Sequence, residues 1–181
     1  MTALSHSAVR PSNPLTSLET PLTYVAASDD MVVVDDLIGK RRRFGNATVH
    51  AGVGFVRAFA GFIARNPTSG VIDFFKVGSD DFRPKRHDAK DLLPHLVAFD
   101  SMPLAGLEAA VAWHLSPGTL NRYHGFTAFI MNHRRELWAV RASCHFMKFA
   151  AVQECTLDAM PATDGFYSGP DCLLRFRPVR S

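Results

Sequence analysis

Eight histidines and three cysteines are the side chains of this 181-residue chain best suited to hold a metal or attack a substrate. Cys144-His145, Cys155 and Cys172 carry the donor types of a zinc set, thiolate and imidazole. Their gaps match none of the usual paired knuckles, so the sequence predicts no metal. Cys155 and Cys172 read instead as small buried apolar residues, the common state of a free cysteine. Adjacent Cys144 and His145 on a strand would point to opposite faces, which argues against their acting as a nucleophile–base pair. His87-Asp88 resembles a fragment of a metal-dependent phosphohydrolase, but the other ligands are not evident, and the pair reads as part of a solvated loop. The chain contains no Gly-x-Ser-x-Gly elbow, no phosphate-binding Gly-rich lysine loop and no His-Glu-x-x-His. The expectation is a protein without a reaction centre and without a cofactor.

One enzyme-like pattern remains. Arg42-x-x-Gly45-x-Ala47 lies after a predicted strand and before a predicted helix, as in the pyrophosphate-binding turn of acetyltransferases. Helix-start amides do bind phosphates. Too few residues precede that strand, however, to supply the elements such enzymes place first, so a small acyl-CoA-dependent acyltransferase is kept only as a rival.

Charge narrows the partners. With 20 basic and 17 acidic residues the formal net charge is +3. A protein that imitates DNA needs dense negative charge, and a dedicated nucleic-acid binder needs far more positive charge. The basic cluster Arg41, Arg42 and Arg43 and the turn Asp80-Asp81 are the exposed contact candidates. An odd number of cysteines and the lack of a basic-then-apolar start predict a cytoplasmic protein with no membrane span.

The elements that would position these residues follow from spacing. Residues 1–22 are rich in Ser, Thr and Pro and read as a mobile leader, ahead of a single unit over 23–181. Residues 31–34 predict a buried strand. From 46 to 65, Phe55, Phe59, Phe62 and Ile63 fall at i, i+4, i+7 and i+8, which predicts a long amphipathic helix. Gly52, Gly54 and Gly61 each cost such a helix about 1 kcal/mol relative to Ala. That loss calls for another backbone lying close by.

VIDFFKV over 71–77 predicts a strand that turns back near Asp80-Asp81 and returns by Phe82, and 95–99 predicts another short strand. Asp100, Ser101 and Pro103 start a helix that stops at Ser116-Pro117-Gly118. Leu120, Tyr123, Thr127, Ile130 and Met131 predict a further helix; its rival is a hairpin of FTAFIMN and LWAVRAS around HRRE. The tail carries three strand-like runs, LWAVRA, FMKFAAV and CLLRFRPV. The fold expectation is α+β: a helix packed on a β-hairpin or small antiparallel sheet, with further helices.

Several of these blocks, taken in order, resemble the ArdB/KlcA antirestriction family of plasmids and other mobile elements over about residues 37–135. Phe44-Gly45 leads into the predicted helix, and Gly70, Phe74 and Phe75 fall in the turn and aromatic strand that follow. Ser101, Ala105 and Gly106 match the family's small-residue helix, and Tyr123, His124, Phe129 and His133 match its last helix. Ser69-Gly70 replaces a glycine pair, Ile72 stands where Trp is typical, and 136–181 extends beyond the family's length.

The resemblance implies a non-enzymatic protein that shields incoming DNA from type I restriction enzymes. Its partner would be a host restriction or other defence protein, with DNA contact left open. A nucleic-acid-binding accessory protein of a mobile element is the nearer rival. The matched residues read as structural: Gly70 permits a sharp turn, Phe74 or Phe75 packs on the helix, and Ala105 and Gly106 allow close helix contact.

Overall fold

The computed structural model describes residues 15–17, 21–25, 31–33, 42–44, 47–61, 63–65, 69–77, 85–87, 104–115, 125–147, 152–164, 166–168 and 172–179. Thirteen strands, two short α-helices and a single turn of 3-10 helix at Ala162–Asp164 occupy them. The strands are β1 (Leu15–Ser17), β2 (Leu22–Val25), β3 (Met31–Val33), β4 (Arg42–Phe44), β5 (Ala47–Ala51), β6 (Ile63–Arg65) and β7 (Ser69–Val77). They continue with β8 (Lys85–His87), β9 (Gly125–Met131), β10 (Leu137–Met147), β11 (Val152–Pro161), β12 (Phe166–Ser168) and β13 (Cys172–Pro178). The helices are α1 (Val53–Phe59) and α2 (Leu104–His114).

Nine of the strands form one mixed sheet in the order β1-β7-β13-β9-β10-β11-β5-β4, with β2 paired to β7 beside β1. Its parallel pairs are β13–β9 and β11–β5. The small pairs β12–β8 and β3–β6 stand apart from it. This corrects the expected architecture: the molecule is β-rich, built on a wide mixed sheet, and not a helix laid on a small hairpin.

Side-chain alternation explains why the strands form where they do. One unbroken row crosses the sheet through Phe74, Leu174, Ala128 and Val140, and a second through Phe126, Ala142, Leu157 and Ala51. On this face Phe55, Ala58 and Phe59 of α1 and Leu107, Ala110 and Val111 of α2 join one buried core with them. Phe74 stacks on Trp113 of α2 with ring centroids 4.0 Å apart. Complete burial of such a ring contributes about 2–3 kcal/mol. His114, fully buried, meets Phe126 edge-on at 5.9 Å.

The expected helix over 46–65 is cut to seven residues. Thr48, Val49 and His50 join β5 beside β11, where β-branched side chains pack well. Gly52 then donates its N–H to Leu157 O at 2.6 Å, and the chain leaves the sheet for about two turns of helix. Gly61, at φ +72°, closes α1 in the left-handed conformation that glycine adopts most cheaply. The close backbone expected at the glycines is present: a Cβ on Gly54 would sit 2.1 Å from Ala159 O.

Residues expected to form a third helix form β9, the strand of the rival hairpin. Its first six residues are buried on both faces, and β13 and β10 pair with its two edges. A near-continuous apolar run suits either period, and here its aromatic and β-branched content goes to the sheet. β7 departs from expectation as well, pairing with β1, β2 and β13. Its expected return through Phe82, like 95–99, lies outside the described residues. Leu15–Ser17 of the expected mobile leader pairs with Phe75–Val77. The tail supplies β10, β11 and β13, which lie inside the sheet rather than beside it.

Asn132 pins the β9–β10 turn. Its Oδ1 accepts from the N–H groups of Arg134 (2.9 Å) and Glu136 (3.0 Å). Its Nδ2 donates to the Glu136 carboxylate at 2.9 Å and to Ala58 O of α1 at 3.2 Å. The Asn132 hydrogen bond holds the Glu136 carboxyl below its ordinary range. Arg135 takes φ 60°, a conformation costing a non-glycine residue about 1 kcal/mol. Asn132→Ala removes all four side-chain bonds and strips Ala58 O of its partner. A loss of about 2 kcal/mol is expected in urea unfolding, with the midpoint falling and the slope unchanged.

Candidate functional site: the polar face of the sheet

β5, β10 and β11 turn Val49, Val140, Ala142, Cys155 and Leu157 toward the helices. Alternation therefore sends Thr48, His50, Arg141, Ser143, Glu154 and Thr156 to the other face, while the Asp158 carboxylate lies beside Gly52 and Gly54 at the start of α1. Register brings them together. Arg141 stands opposite Asp158, and Thr156 stands opposite both Ser143 and His50. His50 Nε2 lies 4.0 Å from Glu154 Oε1, both side chains part-exposed. The result is an open array of hydrogen-bond donors and acceptors carrying both signs of charge. Such a face can recognise the polar groups of a partner.

The sheet ends beside this face at β4, whose Arg42 and Arg43 stand opposite Val49 and Thr48. β4 pairs only with β5 among the described strands, so its outer backbone groups form a sheet edge. Arg41, Gly45, Asp80 and Asp81 lie outside the described residues. Of the five predicted contact residues, Arg43 thus pairs with Thr48 of the polar face, whereas Arg42 pairs with Val49, which turns toward the helices.

The remaining predicted positions fall elsewhere. Phe44 ends β4, and its segment turns back antiparallel into β5, with Phe44 opposite Ala47. Arg42-x-x-Gly45-x-Ala47 therefore spans a strand pair rather than a strand-to-helix turn. Gly70 lies inside β7 opposite Tyr24 and Pro178, not at a turn from a helix. Phe74 and Phe75 are both buried, but Phe74 packs on α2 instead of the 46–65 segment. Ala105 and buried Gly106 are in α2, as expected for a small-residue helix. Phe129 is buried in β9, and His133 is exposed in the β9–β10 turn. That segment is a strand and a turn where the family resemblance implies a helix. Ser101, Tyr123 and His124 lie outside the described residues.

Cys155 and Cys172, both buried, sit on β11 and β13 with β9 and β10 between them. Three inter-strand steps, about 14 Å in all, separate the two cysteines. That is too far for one zinc ion to bridge. Among the described residues no group of three potential ligands comes together. No helix among them is long and apolar enough to cross a membrane.

Sequence reasoning overlooked one charged cluster. Asp73 on β7 is only 6% exposed and faces Arg175 directly across the β7–β13 ladder. Arg177 binds it through two contacts, Nε–Oδ2 at 2.6 Å and Nη2–Oδ1 at 2.9 Å, while Arg175 Nε–Oδ2 is 2.9 Å. The Arg175 guanidinium also lies 4.8 Å above the Phe75 ring. Burial alone would raise the Asp73 carboxyl, but the hydrogen bonds from Arg177 and Arg175 outweigh it and hold it below its ordinary value. The available signal was a lone Asp in VIDFFKV and an Arg-x-Arg in CLLRFRP, charges inside otherwise apolar strands.

Compared with known proteins, the chain matches no family model, no curated protein and no solved structure.

Proposed function

We propose that this chain is a non-enzymatic binding protein of antirestriction type, protecting incoming unmodified DNA from type I restriction enzymes. Its working surface is the polar face of β5, β10 and β11 together with the β4 edge. The observation that supports this reading is the position of Arg42 and Arg43 on an edge strand bordering that face. The near-balanced charge of the chain opposes DNA mimicry, so recognition rests on a specific surface rather than an acidic field. The partner on this reading is a restriction or other defence protein within the host cell.

The test is entry of unmodified phage or plasmid DNA into a host carrying a type I restriction system, with and without the gene. Protection is expected with it, and equal restriction in both hosts would end the reading. Replacing Arg41, Arg42 and Arg43 by Glu is expected to abolish protection while the protein remains folded by circular dichroism. Protection that survives this change would retire the arginine edge as the contact. The acyltransferase rival loses its support with the strand pairing at Arg42–Ala47, since no helix start follows Gly45 there.

A further inference from the structure

We infer that the β9–β10 turn and the adjoining end of α1 form a binding site for the phosphodiester backbone of nucleic acid, with Arg57, Arg134 and Arg135 as its phosphate contacts. The inference concerns a different surface from the polar face and does not rest on the antirestriction reading. The Asn132 Nδ2–Ala58 O bond joins segments 74 residues apart in sequence. It puts Arg57, next to Ala58, beside a turn whose exposed residues include Arg134 and Arg135. Three exposed arginines thus lie on adjoining segments, and the carboxylate in the same turn, Glu136, is itself engaged by Asn132.

Arg57, Arg134 and Arg135 form no ion pair among the described residues, so their positive charge is available to a ligand. Arg135 adds an independent sign. It is the one non-glycine residue at positive φ among those described, where glycine would be cheaper. Turn geometry alone therefore does not account for an arginine there, whereas a task for its side chain does.

The chemistry of the site favours phosphate over an acidic protein. A guanidinium presents paired donors that match two phosphate oxygens. Exposed apolar side chains stand nearby, Met131 at the end of β9 and Val53 one helical turn before Arg57. The choice against an acidic protein therefore rests on the three charges and is tested by a polyglutamate control.

The test uses the full chain and fluorescence anisotropy with about 20-base-pair duplexes of DNA and of RNA, titrated between about 50 and 200 mM salt. A polyglutamate peptide serves as the acidic-protein control. Binding of either duplex that weakens steeply with salt is expected, and the better of the two identifies the source of the backbone. The triple variant R57Q/R134Q/R135Q should lose about tenfold or more at the lowest salt. Its log–log salt slope should fall by about 2–3, one step of roughly 0.9 for each lost phosphate contact. Arg135→Gly alone should raise the melting temperature yet weaken duplex binding, a combination that a purely structural role for the turn does not produce. The inference is overturned by absent duplex binding or by an unchanged salt slope in the triple variant. It is also overturned if polyglutamate binds as tightly as the duplexes and is lost in the same variant, which would assign the patch to an acidic protein.

Discussion

Gly54→Ala should destabilise the protein by about 3 kcal/mol, although alanine is the better helix former by about 1 kcal/mol. The added methyl would stand 2.1 Å from Ala159 O and 2.5 Å from Asp158 Oδ1. The first of these atoms is backbone in β11, paired across to Val140 of β10, so it has no rotamer by which to withdraw. Relief requires α1 to lift from the sheet, and lifting α1 loosens Phe55 and Phe59, both buried. Urea unfolding of Gly54→Ala beside Gly61→Ala separates the two ways a glycine can matter. Gly61 has open space around its missing Cβ but a φ of +72°, so its replacement should cost only about 1 kcal/mol, through backbone strain. Adding Asp158→Ala to Gly54→Ala should give little relief, because the nearer obstacle is the carbonyl. Equal stability of Gly54→Ala and the parent would mean that α1 does not sit this close to β11.

That close approach was readable from glycines spaced through an apolar segment, whereas the length of the helix was not. The pattern from Phe55 to Ile63 satisfies a helical period, but Thr48, Val49 and His50 satisfy a strand as well. The choice was made by β11, about 100 residues further along the chain, offering them a parallel partner. The same ambiguity governed β9. Gly125–Met131 is apolar enough to be buried as a helix or a strand, and what decides is the pairing of both its edges, with β13 and β10. Strand β7 and helix α2 were legible, one from its aromatic run and the other from its start and stop residues.

Strand order lies beyond what local patterning encodes. Placing β13 between β7 and β9 depends on pairing residues far apart in sequence, Leu174 with Phe74 and with Ala128, a relation that no periodicity within one segment carries. The same limit applied to the candidate site. Two arginines of the basic cluster were legible from charge alone, but their neighbours on the polar face come from β10 and β11. Read singly, Arg141, Ser143 and Thr156 are ordinary polar positions on strands. Only register makes them one surface.

Asp73→Asn should cost about 2–3 kcal/mol, and its effect should depend on pH. Removing one partner of a buried ion pair leaves the other desolvated and unmatched, an effect of about 3–5 kcal/mol when burial is complete. Here Arg175 and Arg177 are 28% and 48% exposed, so water recovers part of that loss. An asparagine keeps the shape but turns a pair of donor hydrogens toward a guanidinium that has only donors to offer. The sign of the pH effect follows from the depressed carboxyl. The unfolded chain takes up the proton near 3.8, and the folded protein only at lower pH. The ion pair's contribution is thus complete above the unfolded value and disappears as pH falls through the folded one. The parent should accordingly lose more stability than Asp73→Asn between about pH 5 and pH 2, and the two unfolding midpoints should converge in acid. A constant gap across that range would show that what the Asp73→Asn variant lacks is packing or hydrogen-bond geometry, not the charge on the carboxylate. Arg175→Gln offers an internal comparison, since it leaves both Arg177 bonds in place while removing the cation above Phe75. It should cost less than Asp73→Asn, because one guanidinium still neutralises the carboxylate that the sheet has buried.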